Sequence, residues 1–420
     1  MRILLLNQAF YPDVVATAQH AADLAARLVE YGHEVTAIAS RRAYDQPQQS
    51  FPASEIWGGI RIERIPTLGL GKSAKWRRML DFLSFFLGLI AKLAVLPRFD
   101  AVVTLTTPPL IAFWAALFTR LRGGHLIYWV MDLNPDQAFA AGLVKPASWT
   151  GRLLEACLGF ILRSSARIIV LDRFMRERIA ARGVAPDRIH VTPPWSHDEA
   201  VRYDVAARRE FRAAHGLADK FVVMYSGNHS PCHPLTTLLE AARRLASDDR
   251  FRFCFVGGGS EHRRVRRFAE EHGLTNILCL PYQPLEKLSG SLSAADLHVV
   301  VMGDAYVGIV HPCKVYNILA LGSPLLYIGP AESHVTDLRP LNSYGRWFYA
   351  AAHGEAQRVV EHVLAAARSA RPSPAEQLAL ASRFRQHVLM DQVIDAIEAV
   401  LPAPERRRPA AAAAAAAAGR

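Results

Sequence analysis

A chain of 420 residues is long for one domain, and its 51% hydrophobic against 21% charged residues lets each of two halves bury its own core. Lys and Arg number 49 against 38 Asp and Glu, a net charge of +11 that favours an anionic partner without choosing among phosphate, nucleic acid and lipid. Much of that charge is arginine scattered over helical patterns, which reads first as a solvated face. Cys157, Cys232, Cys254, Cys279 and Cys313 form no C-x-x-C pair, which argues against a disulfide framework or structural zinc and fits reduced thiols in a cytoplasmic protein. The opening MRILLLNQAF runs into polar sequence without a small-residue cleavage site, unlike a signal peptide.

In chain order, RILLLNQ (2–8), EVTAIAS (34–40), GIRIERI (59–65), DAVVTLT (100–106), HLIYWVM (125–131), RIIVL (167–171) and RIHVT (188–192) are short β-rich apolar runs. Helical patterns separate most of them. In ATAQHAADLAARLVEYG (16–32) apolar positions recur at three and four, and Gly32 supplies the stop. The series restarts after a polar, arginine-rich stretch near 198–219, which reads as a linker and hinge. KFVVMYSG (220–227), FRFCFVGGG (251–259), NILCLPY (276–282), DLHVVVM (296–302) and PLLYIGP (324–330) form the second set. Alternating β and α predicts an α/β fold of two tandem Rossmann-like, doubly wound domains, with ligands expected in a cleft at the carboxyl ends of the strands. The predicted divisions are an N-terminal domain over 1–197 and a C-terminal domain over 198–384. A closing helix over 385–401 is expected to return to the first domain, and 402–420 reads as a low-complexity tail.

WRRMLDFLSFFLGLIAKLAVLP (76–97) is greasier than a surface helix needs to be. Asp81 and Lys92 leave too short an uncharged run to span a bilayer, so two readings stay open: burial within the domain, or docking on a membrane surface.

The stretch GIVHPCKVYNILALGSP (308–324) falls between the fourth and fifth strands of the second domain. A helix opening there would aim free N–H groups and its positive dipole end at a ligand, which suits a diphosphate. Pro312 fits just before or within the first turn, and Asn317, one turn on, can offer an amide to a sugar hydroxyl. Lys314 has the wrong charge for a helix N-terminus, and an anionic ligand explains it better than simple exposure. YSGNHSPCHPLTTLLEA (225–241) is a second glycine-bearing turn, in which Gly227 lets the backbone approach a ligand while Asn228 and His233 stand as polar arms. His233 reads equally as a structural residue. Gly257, in VGGG (256–259), ends the next strand. Tyr282, in LPYQP (280–284), would lie beside a nucleobase or sit in the core.

With those residues in hand, the chain resembles family 4 glycosyltransferases of the GT-B fold, over essentially its whole length to about residue 400. LLNQAFYPDVVATAQHAADLAARLVEYGHEVTAIAS is similar to the family's opening strand, loop and helix. YWVMDLNPD, MYSGNHS, FVGGG, LPYQP and LSAADLHVV match segments of the branch that builds bacterial surface polysaccharides.

The resemblance also exposes departures. The two-glycine donor loop falls at Ala16 and Thr17, with His20 a turn further on. The Arg and Lys that clamp the diphosphate fall at Asn228 and His233. The Glu-x7-Glu motif falls on Ile309 and Asn317, with Val310 beside it. A family histidine is replaced by Thr106 and Thr107. Pro312-Cys313-Lys314 matches a Pro-x-Lys element that opens the same helix in related sequences.

The resemblance implies retaining transfer from a UDP- or GDP-sugar without a metal, in keeping with the absence of an Asp-x-Asp motif. Charge on the departing diphosphate then falls to fixed dipoles and cations, with Lys314, Gly227 and Asn228 as candidates. Asp132 and Asp136, in DLNPD, could orient an acceptor hydroxyl, although Asp132 could equally cap the next segment. Asp132 and Thr107 join Lys314 as candidate catalytic residues. The implied acceptor is a glycan or a polyprenyl-linked glycan, with the 76–97 helix and the positive charge holding the first domain against an anionic membrane at its cytoplasmic face. No nucleic acid is expected. A nucleotide-sugar epimerase lacks a convincing acid/base set here. A catalytically degenerate scaffold is the other competing reading, and a nicotinamide-dependent oxidoreductase lacks G-x-G-x-x-G.

Overall fold

The computed structural model describes residues 1–13, 15–44, 46–71, 75–195, 201–339, 346–369 and 373–400. The chain forms two compact units, one of Met1–Thr192 with the segment from Met390 onward, the other of Pro193–Leu389.

The first unit is built on β1 (Arg2–Leu6), β2 (Glu34–Ser40), β3 (Ser54–Trp57), β4 (Ile60–Ile65), β5 (Ala101–Thr104), β6 (His125–Trp129), β7 (Ser165–Val170) and β8 (Ile189–Val191). They pair in the order β3-β4-β2-β1-β5-β6-β7-β8, parallel except for β3 against β4. Leu4, Leu5 and Leu6 are fully buried, as a central parallel strand covered on both faces requires. The order reverses between β1 and β5, the place where such sheets leave a ligand crevice beyond the strand ends. Strand β3 is absent from the sequence reading. Its signal is the Gly58-Gly59 pair, at φ +54° and +81°, which forms the tight turn joining β3 to β4.

The greasy segment forms a helix over Lys75–Val95. One face buries Phe85, Leu89 and Leu93 against Leu4, Leu6, Ile38 and Ile65. Gly88 makes the approach to β4 possible, because a Cβ there would lie 2.2 Å from the Ile65 methyl. The other face leaves Trp76 58%, Met79 70%, Leu83 54% and Leu87 60% exposed. Burial therefore accounts for only half of this helix. Among the described residues no helix is long and apolar enough to cross a membrane.

The second unit carries β9 (Phe221–Asn228), β10 (Phe251–Gly258), β11 (Ile277–Leu280), β12 (Leu297–Val301), β13 (Leu325–Ile328) and β14 (Phe348–Ala351), all parallel. Their order, β11-β10-β9-β12-β13-β14, reverses between β9 and β12. Alternate residues of β9 enter opposite cores: Val223 and Tyr225 pack with Phe251, Phe253 and Leu238, while Val222 and Met224 pack with Phe211 and Cys254. Short β14, in FYAA, was not predicted.

The stretch read as a linker near 198–219 contains a helix, Val205–Ala214. Two of its three arginines are structural, while Arg209 is exposed. Arg208 and Arg212 both pair with Asp296, whose carboxylate also accepts the Val222 amide at 2.8 Å. Residues 198–200 of that stretch lie outside the described residues.

The last helix is Gln386–Glu398, and its residues from Met390 belong to the first unit. There Glu398 meets His33 at 3.0 Å, both buried, and Asp391 accepts from Tyr31 and Arg27. Residues 402–420, read as a tail, lie outside the described residues.

Candidate active site

At the carboxyl edge of the second unit, β9 and β10 end side by side, with Gly257 opposite Gly227 and Gly258 opposite Asn228. The pairing depends on glycine. Gly257 has φ +134°, and a Cβ there would stand 2.1 Å from the Gly227 carbonyl oxygen; at Gly259, φ +128°, it would stand 2.3 Å from that of His229. The turn after β9 is fastened to this edge. The His229 amide donates to Gly258 at 2.8 Å, the Tyr225 hydroxyl donates to the Asn228 carbonyl at 2.8 Å, and the His229 ring meets the Gly227 carbonyl through Nδ1 at 2.9 Å. Asn228 itself is exposed. Tyr282 sits over Gly258, 56% exposed, so the core alternative for this tyrosine is excluded.

Lys314 opens the helix Lys314–Ala320 and points back at this edge. Its Nζ lies 3.4 Å from the centre of the Tyr225 ring, and a Cβ on Gly227 would fall 3.3 Å from it. The amino group is shut off from solvent and has no hydrogen-bond partner among the described residues. Burial pushes its pKa down to about 7. His229 and His233 are each held down at about 3, by burial first and by the nearby Lys314 second, so both are neutral. An amine in such a setting is a vacant half of an ion pair: an anion at Gly227 would both charge it and satisfy it.

The other donor-side candidates divide. Asn317 lies three residues along from Lys314, half-buried, on the same side of the helix. Ile309 and Val310 are buried apolar side chains, and both their amides donate to the Tyr306 carbonyl, at 3.0 and 3.2 Å. What they contribute is the shape of the loop.

At the carboxyl edge of the first unit, β1, β5 and β6 bring other candidates together. The Thr107 carbonyl accepts the Gln8 amide at 2.7 Å, and the Thr106 hydroxyl accepts the Asp132 amide at 3.3 Å. Burial raises the Asp132 carboxyl to about 6. Asp132 does not cap the following helix, Asp136–Ala140, whose N-terminal cap position is Pro135. Asp136, by contrast, is neutralised in place: Arg182 donates to it at 2.7 Å, Arg178 stands at 3.6 Å, and it is buried. It is a structural ion pair rather than a partner for an acceptor. The first helix, Ala16–Glu30, starts with Ala16 exposed and Thr17 half-buried, and carries His20 buried with its ring 6.5 Å from that of Trp129.

Sequence reasoning overlooked Tyr225, which provides the bed for Lys314, and His229, which fixes the Gly227 carbonyl. Both stand in the quoted MYSGNHS, but nothing in a linear pattern tells that a lysine far along the chain lands on that ring.

Two doubly wound units, each with its strand order reversing at a switch point, are the architecture of the GT-B fold. The comparisons agree. The model described as "Glycosyl transferase 4-like domain" matches residues 16–195, and that described as "Glycosyl transferases group 1" matches 207–326. The chain belongs to the family 4 glycosyltransferases. It is 25% identical over 353 residues to the putative colanic acid biosynthesis glycosyl transferase WcaI of Escherichia coli K12, covering 80% of this chain and 86% of that one. It is 24% identical over 231 residues to the probable glycosyltransferase WbjE of Pseudomonas aeruginosa, covering 55% and 58%. Among solved structures, HepE from Anabaena in complex with UDP and glucose superposes with TM-score 0.71 at 15% identity, over 95% of this chain and all of that one. Sucrose-phosphate synthase from Thermosynechococcus elongatus gives 0.72 at 17% identity, over 94% and 98%.

Proposed function

We propose that this glycosyltransferase moves a hexose from a UDP- or GDP-sugar, with retention and without a bound metal, onto a lipid-linked glycan in surface-polysaccharide assembly. The observation that carries the reading is the buried, unpartnered Lys314 amine beside Gly227. A diphosphate there would meet a cation in a dry setting, where charge–charge contact is stronger than in water. As the bond to the sugar breaks, negative charge grows on the departing diphosphate, and the amine and the strand-end backbone take it up. Asn317, one helical turn on, is placed for a sugar or ribose hydroxyl, and Tyr282 for the base. The absence of an Asp-x-Asp motif supports the metal-free reading, and retention rests on the family resemblance. WcaI is named for colanic acid biosynthesis and HepE was crystallised with UDP, which supports the same substrate class here.

On the acceptor side, Asp132 and Thr107 are assigned to positioning the attacking hydroxyl. The exposed apolar stripe of helix Lys75–Val95, beside Arg77 and Arg78, would lie in the interface of an anionic bilayer at the cytoplasmic face. Calorimetric titration of UDP and GDP without added metal tests the donor assignment. Saturable binding of one of them, weakened by Lys314→Ala, is expected, and binding indifferent to that substitution would overturn it. Proton NMR of the new glycosidic linkage tests retention: the anomeric configuration of the donor is expected in the product, and the opposite one would overturn it.

A further inference from the structure

The Lys314 amine is held without an acceptor in a place where acceptors are plentiful. It stands against the end of β9, where three successive carbonyls, those of Gly227, Asn228 and His229, carry the strand into its turn. Each of the three is already taken by another donor. The His229 ring reaches back to the Gly227 oxygen through Nδ1 at 2.9 Å, and the Tyr225 hydroxyl donates to the Asn228 oxygen at 2.8 Å. The Glu261 amide, in the first turn of the helix Ser260–Glu271, donates to the His229 oxygen at 3.0 Å.

Two of these donors are side chains fully withdrawn from solvent, Tyr225 and His229. A carbonyl can only accept, so the His229 Nδ1 carries a proton, and the ring is neutral because burial and the nearby Lys314 hold its pKa at about 3. The ring is clasped edge to face between Tyr225 and His262, 4.8 Å from each. Tyr225 serves twice: its face lies 3.4 Å from the amine, and its hydroxyl is turned to the backbone. Among the described residues, the titratable groups around the amine are Tyr225, His229, His233 and Cys313, and none of these is a carboxylate.

A buried donor left unbonded costs the fold its desolvation, and the simplest relief would be a hydrogen bond from the amine to one of these carbonyls. The tyrosine and the histidine close that route. An aromatic face attracts the ammonium but leaves its N–H groups unspent.

We propose that Tyr225 and His229 are positioning residues which, by engaging the Asn228 and Gly227 carbonyls, keep the Lys314 amine unbonded and available to the diphosphate of the donor. The inference rests on the reading above that this diphosphate binds at Lys314, and it adds the two side chains that hold the amine in reserve. Both act through the backbone.

The amine can be followed directly by NMR of protein whose lysines are isotopically labelled at Nζ, titrated without nucleotide; the Lys314 resonance is the one lost in Lys314→Ala. Calorimetry with UDP or GDP, whichever binds the wild type, runs alongside. Tyr225→Phe keeps the ring beside the amine and removes only the hydroxyl. The freed Asn228 carbonyl should then capture the charged amine and raise its titration midpoint from about 7 by about one pH unit, a tenfold preference. Nucleotide affinity should fall about tenfold near pH 6, where the amine is charged in both proteins and must leave the carbonyl. The loss should vanish near pH 9, where the amine is neutral in both and binding brings its own proton.

His229→Leu should shift the midpoint the same way through the Gly227 carbonyl, and His229→Asn, whose side-chain amide can stand in for Nδ1–H, should restore it. This pair carries the test if Tyr225→Phe does not fold. A midpoint unchanged in Tyr225→Phe and in His229→Leu overturns the inference. So does an affinity loss equal at both pH values, which would make these side chains merely structural. Wild-type protein that binds neither nucleotide, or binds one regardless of Lys314, would count against the donor reading, while the titration of the amine still decides whether the two side chains keep it unbonded.

Discussion

The two units carry their chemistry in opposite ways. In the second, the candidate site is mostly backbone: two strand ends pressed together by Gly227 and Gly257, and one amine laid on Tyr225 with no hydrogen-bond partner among the described residues. In the first, the candidates are side chains at the ends of several strands, the Thr106 hydroxyl accepting the Asp132 amide and the Asp132 carboxyl made a weaker acid by burial. On the proposed reading, the difference follows from what each would bind. A diphosphate is the same in every nucleotide sugar and needs close approach and charge, whereas acceptors vary and are read by side chains that loops can change.

The comparison breaks most readily at Lys314. Lys314→Met should lower kcat by about 10²–10³, the range for removing one preorganised group opposite a developing anion. UDP affinity should fall by about 1.5–3 kcal/mol, the range for a charged hydrogen bond, while the melting temperature of the unliganded protein should not fall, because an unpaired buried amine costs stability. Calorimetry and thermal unfolding check both halves. Affinity within twofold of wild type would remove the lysine from the phosphate.

Gly257→Ala tests the claim that the second site is backbone-built. The added methyl meets the Gly227 oxygen at a φ unfavourable to alanine, and a loss of about 2 kcal/mol in stability is expected by denaturant unfolding. Ala16→Gly, at an exposed helix start in the first unit, should cost about 1 kcal/mol at most.

The pH dependence sharpens the contrast, because the two sites need opposite protonation states. Asp132 must be ionised, which fails below about 6, and Lys314 must be charged, which in the free enzyme fails above about 7. The profile of kcat/KM should therefore be bell-shaped with its maximum between these values, and Asp132→Asn should abolish the acid limb along with most of the turnover. Above pH 7 nucleotide binding must take up a proton. The heat of binding should then vary with the ionisation enthalpy of the buffer, and UDP affinity should drop about tenfold per pH unit. The lowered lysine pKa also means that between about 7 and 10.5 the unfolded chain holds a proton that the fold does not. The contribution of this group to the stability of the unliganded protein accordingly rises with pH across that window. The smallest effect is expected at Asn317: Asn317→Ala should leave UDP affinity within twofold and reduce turnover severalfold, and a fully active variant would remove Asn317 from the site.

Much of the fold was legible because buried parallel strands announce themselves as apolar runs. EVTAIAS is strand β2 end to end, and the restart at KFVVMYSG marks the second sheet. The edge strands β3 and β14 were not, since a four-residue strand offers too little pattern to stand out. Lys314 was legible as a charge in the wrong place. Its depth was not, because the residues that bury it come from another strand and turn. Asp132 and Asp136 look alike in DLNPD, and only Arg178 and Arg182, brought over by a later helix, tell the ion pair from the free carboxyl.

An amine kept half uncharged near pH 7 is also a nucleophile, since only the neutral form has a lone pair to offer. The burial that would prepare Lys314 for phosphate also makes it a target for an aldehyde that itself carries a phosphate, which would be drawn to the site and condense with the neutral nitrogen to an imine, releasing water. A bound nucleotide, by charging that nitrogen, would protect it twice over: by occupying the space and by taking away the lone pair.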